Sequence, residues 1–286
     1  MLSWGSSTEY RKVAEANRRY YAKTAELYDQ TETCVTDAGA QAILEAELDQ
    51  VLALLGRPRD QIAALDACGG SGNVSLKLLR RSVATTTCDI SVELLRILQK
   101  KSAAEALTPT LVCSEVADFL RLCPGRFDLV VFSSALHHLA DIDGVLDLAI
   151  ASLRPGGMIF TAFDPTPAGP RYQRLIAWVD YLTFKVHRQP GDLLAAAGRR
   201  ARRLLSGASQ GGDKQGLAMN DANLGVLAEY HVERGIDDLA LVQRLQAQGV
   251  EVVWHRRLAG GRYTPTRALL RSLGAVTSFK LLLRKP

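Results

Sequence analysis

The sequence predicts an α/β protein whose mostly parallel sheet is covered by helices on both faces. Short strand-like segments alternate with helical segments between residues 62 and 163, which is the spacing of βαβ units. A glycine cluster directly follows the first of these strands, where such sheets bind ligands. The 286 residues suffice for one large domain with additions or for two small domains, and their composition, 47% hydrophobic and 23% charged, argues against disorder.

Residues 1–58 are predicted to form an N-terminal helical cap. Apolar residues recur at helical spacing between Ala40 and Leu55, and Gly56 ends the pattern. The remaining residues, 59–286, form the sheet-containing domain. Its first five strands are predicted at 62–66, 83–89, 111–113, 127–133 and 158–163, with a turn at 154–157 before the fifth.

The alternation breaks after the fifth strand. Residues 164–234 are predicted to form a helical insertion between the fifth and sixth strands. Its glycine-rich stretch 206–216 predicts a mobile lid over a binding pocket. The alternation returns near the C-terminus, with a helix at 236–248 and strands at 250–254 and 278–283.

The positive charge of the chain is unevenly distributed. The net charge is +5, but residues 188–203 hold five arginines against one aspartate, and residues 251–286 hold eight basic residues against one glutamate. A nucleic-acid-binding protein is expected to be more uniformly basic, so no nucleic-acid partner is predicted. Residues 193–205 are predicted to form a two-sided helix with arginines opposite leucines. This pattern is typical of a solvated face on a docked helix or of peripheral contact with an anionic membrane.

The sequence also predicts a cytoplasmic protein. No apolar segment is long enough to cross a bilayer, and the N-terminus lacks the basic and apolar regions of a secretion signal. The five cysteines show no C-x-x-C spacing. They are therefore predicted to be reduced thiols, with no metal site and no disulfide framework.

The strongest chemical signal is the loop Asp66-Ala67-Cys68-Gly69-Gly70-Ser71-Gly72, which lies between the first strand and a helix. Its glycines let the backbone lie close to a ligand, and the amide groups at the start of the helix suit a carboxylate. A dinucleotide fingerprint would need a third glycine where Ser75 stands. Asp66 would repel a pyrophosphate, yet it can accept a hydrogen bond from an ammonium group. The alternative interpretation is a glycine-rich turn that binds no ligand.

A second carboxylate, Asp89, ends the second strand. A carboxylate at that place can accept hydrogen bonds from both hydroxyls of a ribose, although it can equally be a turn residue at a strand end. Ser91, two residues later, is a plausible N-cap for the helix that follows. A ribose alone does not distinguish one adenosine-containing cofactor from another.

Five motifs occur in the order and at the spacing of a known family. They are Leu65–Gly72, Cys88–Ser91, Phe127–Val130, Ala135–Leu139 and Leu153–Gly157. The sequence resembles the class I methyltransferases that use S-adenosylmethionine (SAM), especially the ubiquinone/menaquinone-biosynthesis type and its small-molecule relatives. The resemblance implies SAM as the cofactor. It also implies a Rossmann-like fold with a seven-stranded, mostly parallel sheet whose last strand is antiparallel.

The same resemblance implies cofactor-binding roles for particular residues. The glycine loop would hold the methionine part of SAM through Asp66, Cys68, Gly69, Gly70 and Gly72. The ribose would be bound by Asp89 and Ile90, and the adenine would be bordered by Glu115 and Val116. Ser133 would line the floor beneath the sulfonium.

Three further positions complete the comparison with the family. Tyr21 or Tyr28, on the N-terminal segment, would lie near the sulfonium or would merely dock their helix. Cys68 stands where the family usually has Gly or Ala. The usual Gly-Asp pair is missing near Glu115.

We predict methyl transfer to a small, hydrophobic or lipid-like metabolite, as in secondary metabolism, with a hydroxyl oxygen as the first candidate acceptor and an amine as the other. The alternatives are C-methylation of a quinone or similar ring, and a SAM-binding protein without catalysis. A hydroxyl acceptor profits from a general base, and the histidines predicted for that role are His137, His138 and His231. His137 and His138 follow the fourth strand at the rim where such sheets bind ligands, but they can also simply shape that loop.

Overall fold

The structure of the protein, a computed structural model, describes residues 8–186, 234–261 and 263–286. Its strands are β1 (Ala63–Ala67), β2 (Ala84–Asp89), β3 (Thr110–Cys113), β4 (Phe127–Ser133), β5 (Leu153–Pro165), β6 (Glu251–Leu258) and β7 (Ser278–Arg284). They form one sheet in the spatial order β3-β2-β1-β4-β5-β7-β6. β7 runs antiparallel to its neighbours β5 and β6, and the pairs among β1 to β5 are parallel. The predicted fold class is confirmed.

Helices flank the sheet on both faces, and the first three precede β1. In chain order they are α1 (Thr8–Thr31), α2 (Thr33–Thr36), α3 (Ala38–Leu54), α4 (Ser75–Leu79), α5 (Val92–Ala104), α6 (Val116–Arg121), α7 (Ile142–Ser152), α8 (Ala168–Val186), α9 (Asp238–Ala247) and α10 (Thr264–Ser272). Within the described ranges, no helix combines the length and the apolar character needed to cross a membrane.

The central strands are buried on both sides of the sheet. Every residue of β4 from Phe127 to Phe132 is buried, and successive side chains point to opposite faces. Val130 and Phe132 pack with α6, α7 and α9 on one face, whereas Leu129 and Val131 pack with α3 and α4 on the other. This burial on both faces explains why the strand forms a nearly continuous apolar run in the sequence.

Helix α5 begins where the sequence predicts. The hydroxyl oxygen of Ser91 accepts a hydrogen bond from the N–H of Leu94 at 3.3 Å. A cap of this kind contributes about 0.5–2 kcal/mol. The cap thus stabilises the start of α5, directly after the residue that ends β2, Asp89.

Two strand boundaries differ from the predictions. Residues 154–157, predicted as a turn, belong to β5, because Gly156 and Gly157 exchange backbone hydrogen bonds with Lys285 beyond the end of β7. The sixth strand continues to Leu258 because it pairs with β7 as far as that residue. In both places, pairing with a distant segment overrides the local preference of the sequence.

The predicted insertion 164–234 lies partly within the described residues. α8 follows β5 there and packs against α10. The predicted lid stretch 206–216, the two-sided helix 193–205 and His231 lie outside the described residues.

Some of the basic residues near the C-terminus form ion pairs that stabilise the fold. Arg256 and Lys280 both bind the buried carboxylate of Glu47 on α3, at 2.9 and 2.5 Å. Arg257 binds the buried Asp238 of α9 at 2.8 Å. These ion pairs fasten the last two strands to α3 and α9, so the basic residues involved are neutralised locally.

Candidate active site

A cavity of about 710 Å³, counting its open mouth, lies at the carboxyl ends of β1, β2 and β4. Open α/β sheets bind their ligands at this edge. Helix α1 covers the cavity with one face, on which residues three or four positions apart lie in line. The cavity-lining residues of α1 are Tyr10, Val13, Ala14, Asn17, Tyr21 and Tyr28.

The glycine loop has an unusual backbone. Gly70 and Gly72 have φ angles of +54° and +89°, and Cys68, which carries a side chain, has φ +58°. A Cβ on Gly69 would lie 2.5 Å from Cγ2 of Thr87, so a side chain there would push β2 away. Gly70 forms part of the cavity wall, and this places backbone directly against a ligand.

Asp89 ties the glycine loop to the end of β2. Its Oδ2 accepts a hydrogen bond from the N–H of Gly70 at 2.8 Å, and its Oδ1 accepts one from the N–H of Ser91 at 2.8 Å. The carboxylate lines the cavity and is 8% exposed. Burial raises the pKa of Asp89 to about 6. The backbone N–H of Ile90 is a third partner of this carboxylate, which has about four acceptor sites in all, so acceptor capacity remains for a ribose hydroxyl.

A second, smaller cavity of about 300 Å³ lies beside the first. Asp66 lines it, and the Oδ2 of this carboxylate accepts hydrogen bonds from the N–H and the hydroxyl of Ser75 at 2.9 and 2.6 Å. Burial raises the pKa of Asp66 to about 7, so a cation in this cavity would favour the ionised form. Other lining residues are Tyr28, Cys68, Gly69 and Ser133.

Glu115 and Val116 line the larger cavity, but the carboxylate of Glu115 is engaged by the protein. Its Oε2 caps α6 by accepting from the N–H groups of Ala117 and Asp118 at 2.8 and 3.1 Å. Its side chain is also hydrogen-bonded to Tyr10 of α1. Burial raises the pKa of Glu115. Glu115 therefore joins α1 to α6. It does so at the end of the cavity where the resemblance to the family predicts the adenine.

Polar contacts hold α1 over the cavity. Asp29, near the end of the helix, accepts a hydrogen bond from the hydroxyl of Ser71 in the glycine loop and pairs with Lys101 of α5 at 2.9 Å. In the middle of α1, the hydroxyl oxygen of Tyr21 is 3.0 Å from Nε2 of His138. The helix is thus fastened to the glycine loop at one point and to the turn after β4 at another.

His137 lies behind His138. Its Nδ1 is 2.8 Å from Oδ1 of Asp164, and the two histidine rings are 4.0 Å apart. Asp164 follows Phe163, whose φ of +66° coincides with an irregularity in the pairing of β5 with β7. Such bulges redirect side chains next to binding sites, and here the bulge brings a buried carboxylate under the two histidines.

Most of the predicted site residues meet at the two cavities. Those that line at least one of them are Tyr21, Tyr28, Asp66, Cys68, Gly69, Gly70, Asp89, Ile90, Glu115, Val116, Ser133 and His138. Gly72 packs instead against Leu98, and His137 packs against His138. The sequence patterns did not single out Tyr10, Asn17 or Asp164, because nothing local indicates that these side chains face the sheet edge.

Comparison with known proteins identifies the domain. Residues 64–157, from β1 into β5, match the family model described as a methyltransferase domain. The chain carries a class I SAM-dependent methyltransferase domain. SAM is the cofactor of this methyltransferase domain.

Two curated methyltransferases illustrate the range of relatives. The tRNA 5-carboxymethoxyuridine methyltransferase of Escherichia coli (strain K12) is 30% identical over 128 residues, which are 43% of this chain and 47% of that protein. The ubiquinone biosynthesis O-methyltransferase of Xylella fastidiosa (strain 9a5c) is 25% identical over 105 residues, 37% of this chain and 43% of that protein. The chain therefore spans less than half the length of these relatives.

A solved methyltransferase structure shows the same fold. Magnesium protoporphyrin IX methyltransferase from Synechocystis PCC 6803, with bound SAH, superposes with a TM-score of 0.58 at 15% sequence identity. The superposition covers 96% of this chain and 100% of that chain. At this identity, the likeness bears on the fold alone.

The residues at the two cavities fit the chemistry of SAM. A Cβ on Gly70 would stand 3.9 Å from the Tyr28 hydroxyl and 4.0 Å from Oδ2 of Asp89, so the absent side chain leaves room for a ligand between them. Asp89 retains acceptor capacity for a ribose hydroxyl, and Asp66 offers a carboxylate to the ammonium group. A cationic ligand beside these buried carboxyls would favour their ionised forms, against the effect of burial.

The affinity for SAM is expected to rise from about pH 5.5 to about pH 7.5, by up to about tenfold per pH unit for each coupled carboxylate. Asp66 and Asp89 have pKa values of about 7 and about 6, so they are largely protonated at the lower pH and ionise as the pH rises. The ionised form of Asp66 attracts the ammonium group, and the ionised form of Asp89 accepts stronger hydrogen bonds from the ribose. Calorimetric titration with SAM measures the change, and an affinity that stays flat over this range would contradict the assignment of both acids.

The unliganded protein should show the opposite trend. Both pKa values are raised above those of the unfolded chain. The two groups therefore stabilise the fold at low pH, and this contribution is lost as the pH rises through about 6 to 7. Melting temperatures measured with and without SAM should accordingly diverge with increasing pH.

Proposed function

We propose that this protein transfers the methyl group of SAM to a small, hydrophobic or lipid-like metabolite, at oxygen before other atoms. The observation that carries the proposal is the pair formed by His138 and Tyr21, with 3.0 Å between Nε2 and the hydroxyl oxygen, in the wall of the cofactor cavity. A hydroxyl acceptor must give up a proton, and a histidine in that wall is suited to receive it.

When bound, SAM supplies an electrophilic methyl group on a sulfonium. The chain contributes alignment and the exclusion of water. Val13 and Leu139, from α1 and from the turn after β4, add apolar surface to the cavity wall. Burial raises the pKa of Tyr28 well above its ordinary value, so its hydroxyl stays protonated and serves as a neutral hydrogen-bonding group.

His138 is proposed as the base and His137 as a positioning residue. If Nδ1–H of His137 donates to Asp164, the ring of His137 is fixed where it packs against His138. Oδ1 of Asp164 also accepts from the backbone N–H of His137 at 3.3 Å, and this holds the turn itself. His138 then exchanges a proton through Nε2, directly or through the hydroxyl of Tyr21.

Relatives favour two other acceptors. The E. coli relative is named a tRNA 5-carboxymethoxyuridine methyltransferase, so a tRNA nucleotide is the second candidate acceptor. Ring C-methylation is supported by 26% identity over 135 residues to the ubiquinone/menaquinone biosynthesis C-methyltransferase of Psychromonas ingrahamii (strain DSM 17664 / CCUG 51855 / 37). A SAM-binding protein without catalysis is a further alternative.

The proposed function is tested by measuring SAH release from the purified full chain with SAM and a panel of acceptors. The panel contains phenols, hydroxylated quinones, lipid-like alcohols and bulk tRNA that carries its natural modified nucleotides. We expect turnover with hydroxylated hydrophobic compounds and a new O–CH₃ bond in the product. Turnover with tRNA alone, or a product methylated at carbon, would replace the proposal. SAM binding without SAH release over the whole panel would favour the non-catalytic alternative.

Replacing His138 with alanine is expected to lower turnover by about 10²–10⁴-fold, because the acceptor then loses its base. His137→Ala and His231→Ala are compared singly, with His255→Gln as the control. His255 bonds to Asp238 at 2.7 Å, away from both cavities. If the three alanine variants keep normal turnover while they bind SAM, no histidine is the base.

A further inference from the structure

Asn17 lies in the middle of α1, lines the larger cavity and is 8% exposed. Its amide nitrogen donates to the carbonyl oxygens of Val13 and His138, at 3.1 and 3.0 Å. Since both partners are acceptors, they settle which end of the amide is the nitrogen. The other end, Oδ1, finds no hydrogen-bond partner among the residues that the structure describes.

An unpaired acceptor of this kind is uncommon. Most buried side-chain polar atoms are hydrogen-bonded, and burying one without a partner is unfavourable. Asn17 cannot turn its oxygen toward another group without breaking both bonds of its nitrogen. A ligand that donates an N–H or O–H group to this oxygen would remove the penalty, so the cavity should prefer such a ligand.

The donors of an adenosyl group are two ribose hydroxyls and the 6-amino group of the adenine. Asp89 retains acceptor capacity for a ribose hydroxyl beside its three backbone partners. Glu115 already binds the amides of Ala117 and Asp118 and the side chain of Tyr10. Asn17 lies along α1 between Tyr10, which is at the Glu115 end of the cavity, and Tyr21, which contacts His138.

We propose that Oδ1 of Asn17 accepts a hydrogen bond from the 6-amino group of the cofactor's adenine. The proposal rests on the proposed function only in taking the SAM-derived nucleoside as the ligand. An amide oxygen whose nitrogen is occupied can only accept, so it selects an amino group at this position. Because the nitrogen of Asn17 binds the carbonyl of His138, the same side chain links recognition of the adenine to the turn that carries the proposed base.

The test compares the binding of S-adenosylhomocysteine with that of two analogues by calorimetry. One analogue carries hydrogen in place of the 6-amino group, and the other lacks the ribose 2′-hydroxyl. The proteins are the wild type, Asn17→Leu and the control Thr24→Val. Thr24 is also buried on α1 and bonds to the carbonyl of Tyr20 at 3.1 Å, but it does not line the cavity.

We expect the wild type and Thr24→Val to bind S-adenosylhomocysteine about tenfold more tightly than the analogue without the amino group. In Asn17→Leu this preference should fall below about threefold, while the preference for the 2′-hydroxyl remains. A merely structural role would weaken all three ligands equally and leave their ratios unchanged.

Several outcomes would overturn the proposal. One is a wild type that binds both purines equally, which can be measured even if Asn17→Leu does not fold. Another is an Asn17→Leu variant that loses the preference for the 2′-hydroxyl instead of that for the amino group, or that weakens every ligand to the same extent. Failure of the wild type to bind S-adenosylhomocysteine at all would reject the proposed function as well, and so differs from the outcomes that concern Asn17 alone.

Discussion

Replacing Gly72 with alanine is expected to abolish measurable SAM binding and to lower the melting temperature by about 10 °C. The added Cβ would lie 2.2 Å from Cδ1 and 3.1 Å from Cγ of Leu98, a side chain that is fully buried. Relief of this overlap costs about 1–3 kcal/mol, and the φ of +89° adds backbone strain. The N–H of Gly72 closes the loop by bonding to the carbonyl of Gly69 at 2.9 Å. A displacement of Gly72 away from Leu98 therefore moves the loop as well.

Two further variants separate overlap from backbone strain. Gly125 has φ +63°, and nothing lies within 4 Å of its added Cβ, so Gly125→Ala tests strain alone. We expect it to cost about 1–2 kcal/mol and to leave SAM binding unchanged. In the double variant Gly72→Ala/Leu98→Ala, the colliding methyl groups are gone and part of the binding should return. Wild-type affinity in Gly72→Ala alone would contradict this account of the loop.

The positions of the site residues on the sheet were predictable because parallel strands bring their carboxyl ends to one edge. Asp66 and Asp89 lie at the carboxyl ends of β1 and β2, and the sequence shows both a strand and a carboxylate at each place. The motif after β4 brings His138 to the same edge by the same rule. Short apolar runs and the residues that end them are local features, so one sequence suffices to read them.

The remainder of the site depends on packing between segments that are far apart in the chain. The inward residues of α1 follow helical spacing, yet this spacing does not reveal that the helix covers the cofactor cavity rather than another part of the sheet. Asp164 reaches His137 through a bulge at Phe163, where a residue other than glycine adopts a positive φ. Residues of that kind rarely adopt positive φ angles, so no sequence signal marked the bulge.

Replacing Asp89 with asparagine is expected to weaken SAM binding by about 100-fold or more, because hydrogen bonds to an ionised acceptor contribute about 1.5–3 kcal/mol each. Asparagine has one accepting oxygen, whereas Asp89 uses both of its oxygens for Gly70 and Ser91. The variant loses a backbone bond, but it no longer buries a carboxylate whose pKa is raised to about 6. These opposing changes should keep the melting temperature of the unliganded protein within about 5 °C of the wild type at pH 8.

Ser91→Ala provides the matched comparison. It removes the cap of α5 and should cost about 1 kcal/mol, yet it keeps the backbone N–H that bonds to Asp89. The two variants should therefore differ in opposite directions. Asp89→Asn should lose affinity for SAM with little change in stability, whereas Ser91→Ala should lose stability with little change in affinity for SAM. Calorimetry with SAM and thermal melts of both variants measure this. If Asp89→Asn bound SAM as well as the wild type, the ribose would be held elsewhere, and Asp89 would serve only to join the glycine loop to α5.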